Sequence, residues 1–280
     1  EDKPSSLAAL LETDIAKGQE AVLWAFNVVY TRSWRVGGND GSDADSNIVP
    51  LGDMFNHGEP ANVAVIQDPE LDPKNVNIVL QTDLDMQLDT SSVNLHLSYG
   101  LTNSHRFLTI FGFVDESMPV LFSQIVFKSP SPEMIALGCN DRSEMVFNAK
   151  DGAVANAVWD SVLYAILQKQ PADQKRFFEA HQAGDRDTKR EIHGMYAADV
   201  CIILRNHVQQ TLQRMPPLIS LDVKQPKSSV ERNLLLNHSN LPLIMRHNAF
   251  LIGVFQKALK RLDWAVEREL SQKYQGEQTA

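Results

Sequence analysis

IVPLGDMFNHGEPAN, residues 48–62, closes a short apolar run with a dense group of turn-forming and polar residues. A strand running into a turn needs only Gly, Asp or Asn at the corner. It does not need Asn56 and His57 directly behind the bulky pair Met54 and Phe55, with Pro60 and Asn62 close after. Two readings fit such a stretch. It is a crowded turn, or a place where backbone and polar side chains hold a small molecule.

The surroundings outward from this stretch fall into two parts. QEAVLWAFNVVY, residues 19–30, places Val22, Phe26 and Val29 at helical spacing and predicts a buried helix leading into TRSW. GGNDGSDADSN, 37–47, reads as a polar loop. From 48 to 114 the runs shorten to NIVPL, NVAVI, VNIVL, VNLHLS and FLTIFGFV, bounded by Asp, Pro, Asn and Gly, which predicts several short strands. Beyond SPSPEM, 129–134, the period becomes helical. Val154, Val158, Val162 and Ile166 share a face, with Trp159 and Leu163 beside them. Ile192, Tyr196, Val200 and Ile203 share another, on a helix expected to stop at Pro216-Pro217. Leu251, Phe255, Ala258 and Leu262 form the last stripe. The expected fold class is α+β: a short-stranded, β-rich part over 1–128, then a mostly helical domain over 129–280.

At 280 residues, with 43% hydrophobic and 22% charged residues, the chain has the composition of a globular protein with a proper core. A net charge of −9 argues against nucleic acid or an anionic membrane as partner, and fits a basic, lysine-bearing protein segment. Cys139 and Cys201 are the two cysteines, without metal-ligand spacing, so neither a disulfide framework nor a metal site is expected. No apolar run approaches transmembrane length and no signal pattern opens the chain, so a soluble, intracellular monomer is the expectation.

Three features occur in order: TRSW with Arg32, VPLGDMFNH at 49–57, and SYGLTNSHRFLTIFGFV at 98–114. Together they resemble the second half of a SET-domain protein methyltransferase, of the branch similar to the Rubisco large-subunit methyltransferase, in which a helical substrate-binding domain follows the SET fold. The Asn56-His57 pair, Tyr99-Gly100 and Phe111-Gly112-Phe113 match that family's order and spacing over about residues 20–115. The resemblance implies that the first SET strands, with their glycine-containing cofactor turn, are missing from the chain, since no G-x-G occurs in it.

What the resemblance implies is methyl transfer from S-adenosylmethionine to a protein side chain, lysine being the acceptor the family pattern favours, with Trp34 standing where lysine-modifying relatives place an aromatic residue. Asn56 and His57 would bind the cofactor. Tyr99 would be catalytic, reached by a strand and followed by a helical or irregular turn. Phe111 and Phe113 would wall the cofactor and the lysine channel, with Arg32 near the cofactor and Asp53 and Trp34 on the substrate side. Phe111 stands where many relatives have tyrosine, and Ser104 where many have asparagine, with Asn103 one place early. Plainer roles stay open for each: His57 a turn histidine, Tyr99 a core tyrosine, Arg32 a cap on carbonyls, Asp53 a turn former. The rival expectation is a catalytically inactive SET remnant that binds proteins through its helical domain.

Overall fold

The computed structural model describes residues 15–36, 45–48, 52–67, 76–80, 94–100, 102–122, 130–139, 141–215 and 227–279. The chain is a mixed α+β structure, mostly helical, with small sheets. It divides into two compact units, Glu1–Leu101 and Thr102–Ala280.

The earliest described element of the first unit is α1, Ile15–Arg32. The helix forms where its spacing predicts, but the predicted stripe is not buried. Val22, Phe26 and Val29 are 43%, 61% and 49% exposed, because no described element of this unit packs over them. Phe26 and Tyr30, one turn apart, stack on each other instead at 5.6 Å. Strand β1, Ser33–Val36, follows at once and pairs antiparallel with β2, Asp45–Ile48, from Ser33 opposite Ile48 to Val36 opposite Asp45. Asp45, Ser46 and Asn47 are therefore strand, correcting the polar-loop expectation for the end of that stretch. Val49, Pro50 and Leu51 lie outside the described residues.

A second sheet has the order β3-β6-β4-β5: β3 Asn56–His57, β4 Val63–Gln67, β5 Val76–Leu80 and β6 His96–Leu97. The β-branched runs VAVIQ and VNIVL pair antiparallel over their full length, from Val63 opposite Leu80 to Gln67 opposite Val76. β6 runs parallel to both β3 and β4, with Leu97 opposite both His57 and Val63. Leu97 and Val63 are buried where the strands meet. This register sets Tyr99 two residues beyond the partner of His57.

In the second unit, α2, Ser104–Arg106, widens into a π-helical turn over Phe107–Phe111. FLTIF is thus helical rather than the last of the short strands. Asn103 caps the helix start, its side chain accepting the Arg106 N–H at 3.1 Å, and Gly112, at φ 74°, ends it. These two end signals outweigh the β propensity of the residues between them.

Strands β7, Val120–Leu121, and β8, Val146–Phe147, form a small antiparallel pair, and α3, Pro132–Ala136, lies between them in sequence. Among the described residues, five further α-helices follow: α4 Asn156–Ile166, α5 Pro171–Ala183, α6 Arg186–Met195, α7 Ala197–Arg214 and α8 Ser229–Asn237. The last, α9, runs Leu241–Thr279. The α4 stripe buries Val158, Val162 and Leu163, and the α9 stripe buries Leu251, Phe255, Ala258 and Leu262. Fully buried Phe147 joins the sheet to the helices, 5.3 Å from the Phe122 ring and 5.4 Å from that of Phe255.

The segment expected as one helix from 188 to 215 is two. Tyr196 breaks it, and its hydroxyl donates to Asp173 Oδ2 at 2.6 Å. Ile192 and Val200 are buried, while within α7 Leu204, not Ile203, shares the buried face, and Ile203 is 40% exposed.

Candidate functional site

Parallel pairing of two very short strands brings the Asn-His pair and the tyrosine segment together. Gly52–Met54 forms one 3₁₀ turn, closed by the Phe55 N–H donating to the Gly52 carbonyl. Asn56 and His57 then enter β3 beside His96 and Leu97. The Tyr99 N–H donates to His57 Nδ1 at 3.1 Å, and the Tyr99 hydroxyl donates to the Phe55 carbonyl at 2.8 Å. The two rings lie 5.3 Å apart, tilted at 45°. Because Nδ1 accepts a hydrogen bond, the neutral imidazole carries its proton on Nε2.

Burial raises the pKa of the Tyr99 phenol, partly offset by the Arg32 guanidinium and the His57 backbone. The phenol therefore stays protonated at neutral pH. Its proton points to the Phe55 carbonyl.

Arg32 arrives from the end of α1. Its Nη1 donates to the Asp53 carbonyl at 2.7 Å, with the Asp53 carboxylate at 3.8 Å and the Met54 sulfur at 3.6 Å. With Arg32 side chain 44% exposed, the ion pair contributes only about 0–1 kcal/mol. Its structural effect is larger than its energy, because it holds the turn just ahead of Asn56. Asp53 is thus paired with a guanidinium within its own unit. The exposed Asn56 presents its carboxamide at the end of that turn.

The structure adds supports that the motif reading did not single out. Asn62 bridges the loop before β6: its Nδ2 donates to the Asn94 carbonyl at 2.8 Å, and its Oδ1 accepts the His96 N–H at 2.6 Å. Ser98 Oγ donates to Glu59 Oε1 at 2.7 Å. Gly58 lies so close to His96 that a Cβ there would sit 2.6 Å from the ring, so only glycine fits. The presence of Asn62 at the end of the quoted stretch was the available signal, since a buried asparagine can pair with two backbone groups at once.

Phe111 and Phe113 belong to the second unit. They pack with Phe107, at 5.5 Å and 5.1 Å from its ring, in an aromatic cluster fixed by the capped π turn. Asn103, 3% exposed, caps that turn and also donates to the Arg142 carbonyl at 3.1 Å. Ser104 is fully buried. Trp34 sits in β1 opposite Asn47, and its side chain lies outside the described ones.

Among the expected site residues, Arg32, Asp53, His57 and Tyr99 are therefore linked through one turn, with Asn56 beside them. No helix among the described residues is long and apolar enough to cross a membrane. No family model matches the chain, and no curated protein matches it.

Proposed function

We propose that the chain is a SET-type protein N-methyltransferase acting on a protein side chain, with lysine as the acceptor. The observation that carries this reading is the joining of Tyr99 to the Asn56-His57 segment through His57 Nδ1 and the Phe55 carbonyl. S-adenosylmethionine supplies an activated methyl on a sulfonium, and the protein supplies position and electrostatics. The donor set fits that cofactor in chemistry: an exposed carboxamide at Asn56, an oriented imidazole at His57 and a guanidinium that stiffens the turn.

In this reading Asn56 and His57 hold the cofactor. Tyr99 keeps its proton on Phe55 and turns lone pairs toward polarised C–H groups, which such oxygens accept weakly. Phe111 and Phe113, which the resemblance assigns to the channel walls, pack on Phe107 within the second unit. Asp53, tethered to Arg32, serves the turn first and approaching cations second.

The alternative, a catalytically inactive SET remnant that binds proteins, is favoured by one observation. Phe111 packs with Phe107 and Phe113, and its own ring carries no hydroxyl where the resemblance places a tyrosine. The deciding experiment follows transfer of a radiolabelled methyl group from S-adenosylmethionine to a lysine-rich protein mixture. The methyltransferase reading expects label in protein with the native chain and a loss of about a hundredfold in Tyr99→Phe. Equal background with both would favour the binding role.

A further inference from the structure

Within the second unit, a groove of about 730 Å3 runs between the loop before α4 and the middle of α9. Trp159 and Trp264 line it, with Lys257, Lys260 and Arg261 along one side. Among the described lining residues Asp151 is the single carboxylate, so three cations against one anion leave the groove at +2, opposite in sign to the chain's −9.

The groove is built by specific contacts. Gly152, at φ 71°, brings the loop so close to α9 that a Cβ would sit 2.4 Å from the Ala258 nitrogen. Lys257 Nζ donates to the carbonyls of Ala149 and Lys150 at 3.1 and 3.2 Å, and Arg261 Nη1 donates to Asp151 Oδ2 at 3.0 Å. These bonds lock loop to helix. Lys260 makes no ion pair with a described residue. Trp264 is 61% exposed, with the Arg268 guanidinium 5.0 Å from its ring. An exposed tryptophan flanked by cations is the composition of a binding hot spot rather than of a solvated helix face.

We propose that this groove docks a short acidic segment of another protein. An aliphatic or aromatic side chain of that segment packs against Trp159 and Trp264, and one of its carboxylates meets Lys260. A nucleic-acid strand fits less well. Lys257 and Arg261 are already tied to the loop, which leaves too few cations to follow a phosphate backbone. The proposal concerns binding alone and stands whether or not the first unit transfers methyl groups.

The test measures fluorescence anisotropy of a labelled hexapeptide, Asp-Glu-Leu-Phe-Asp-Glu, titrated with the full 280-residue chain. Comparison probes replace Leu-Phe by Ser-Ser, replace the acids by lysines, or substitute a short oligouridylate. Saturable binding of the acidic-apolar peptide alone is expected, weakening about fivefold or more between about 50 and 300 mM salt. Trp264→Ala and Lys260→Glu, both at exposed positions, should each weaken it about fivefold or more while melting like the native chain. The proposal is overturned by absence of saturable peptide binding, by binding indifferent to both variants, or by oligouridylate binding in place of the peptide.

Discussion

The backbone N–H of Tyr99 donates to Nδ1 of His57, 42 residues earlier in the chain, at 3.1 Å. This one bond orients the imidazole and fixes the strand end that carries the tyrosine. His57→Ala removes the acceptor of a part-buried N–H and the ring packed beside Tyr99, costing about 1–3 kcal/mol of stability. The expected result is a lower midpoint in denaturant unfolding, together with weaker S-adenosylhomocysteine binding in calorimetry.

Tyr99→Phe separates structure from chemistry differently. It removes the hydroxyl that donates to the Phe55 carbonyl at 2.8 Å but keeps the ring and the backbone bond to His57. Stability should fall by only about 0.5–1.5 kcal/mol. S-adenosylhomocysteine binding should persist while methyl transfer is lost, so paired calorimetry and transfer assays distinguish a catalytic hydroxyl from a structural one.

Asp160 anchors the helical unit through charge. Its carboxylate, 9% exposed, meets Lys189 Nζ at 2.6 Å and His193 Nε2 at 2.8 Å, with His181 Nδ1 at 4.0 Å. Burial alone would raise its pKa, but the hydrogen bonds and charges of His193 and Lys189 outweigh this and hold it below the ordinary aspartate value. A carboxylate depressed on folding contributes stability that is complete above its unfolded value, about 3.9, and is lost as pH falls through the lower folded value. Asp160→Ala should cost about 3–5 kcal/mol at neutral pH, because Lys189 loses its carboxylate. The gap between native and variant should narrow below about pH 3.9 in unfolding measured across pH.

Gly152→Ala tests the loop that closes on α9. The added Cβ meets helix backbone and the residue must hold a left-handed conformation. The two effects together should cost about 3 kcal/mol or more, read as a fall in melting temperature.

Elements with strong period or strong ends were legible in the sequence. The stripes of α4 and α9 are buried as their spacing predicts, since helices of that length have one apolar face to hide. The break at Tyr196 was not legible in the apolar spacing, and the partner of its hydroxyl, Asp173, stands on another helix. FLTIF carried strand-forming residues, yet Asn103 and Gly112, which decide its helical turn, were both in the sequence as end signals. The meeting of His57 and Tyr99 was suggested by resemblance. Its physical basis, a parallel pairing of two two-residue strands, leaves no periodicity that a sequence could display.

The most direct test of the central claim is calorimetric titration of the 280-residue chain with S-adenosylhomocysteine, alongside Asn56→Ala and circular dichroism of both. The account predicts binding by the native chain that disappears in the variant, with both folded. A folded native chain that binds nothing, or a variant that binds as well as the native chain, would contradict a cofactor site at the Asn56-His57 turn.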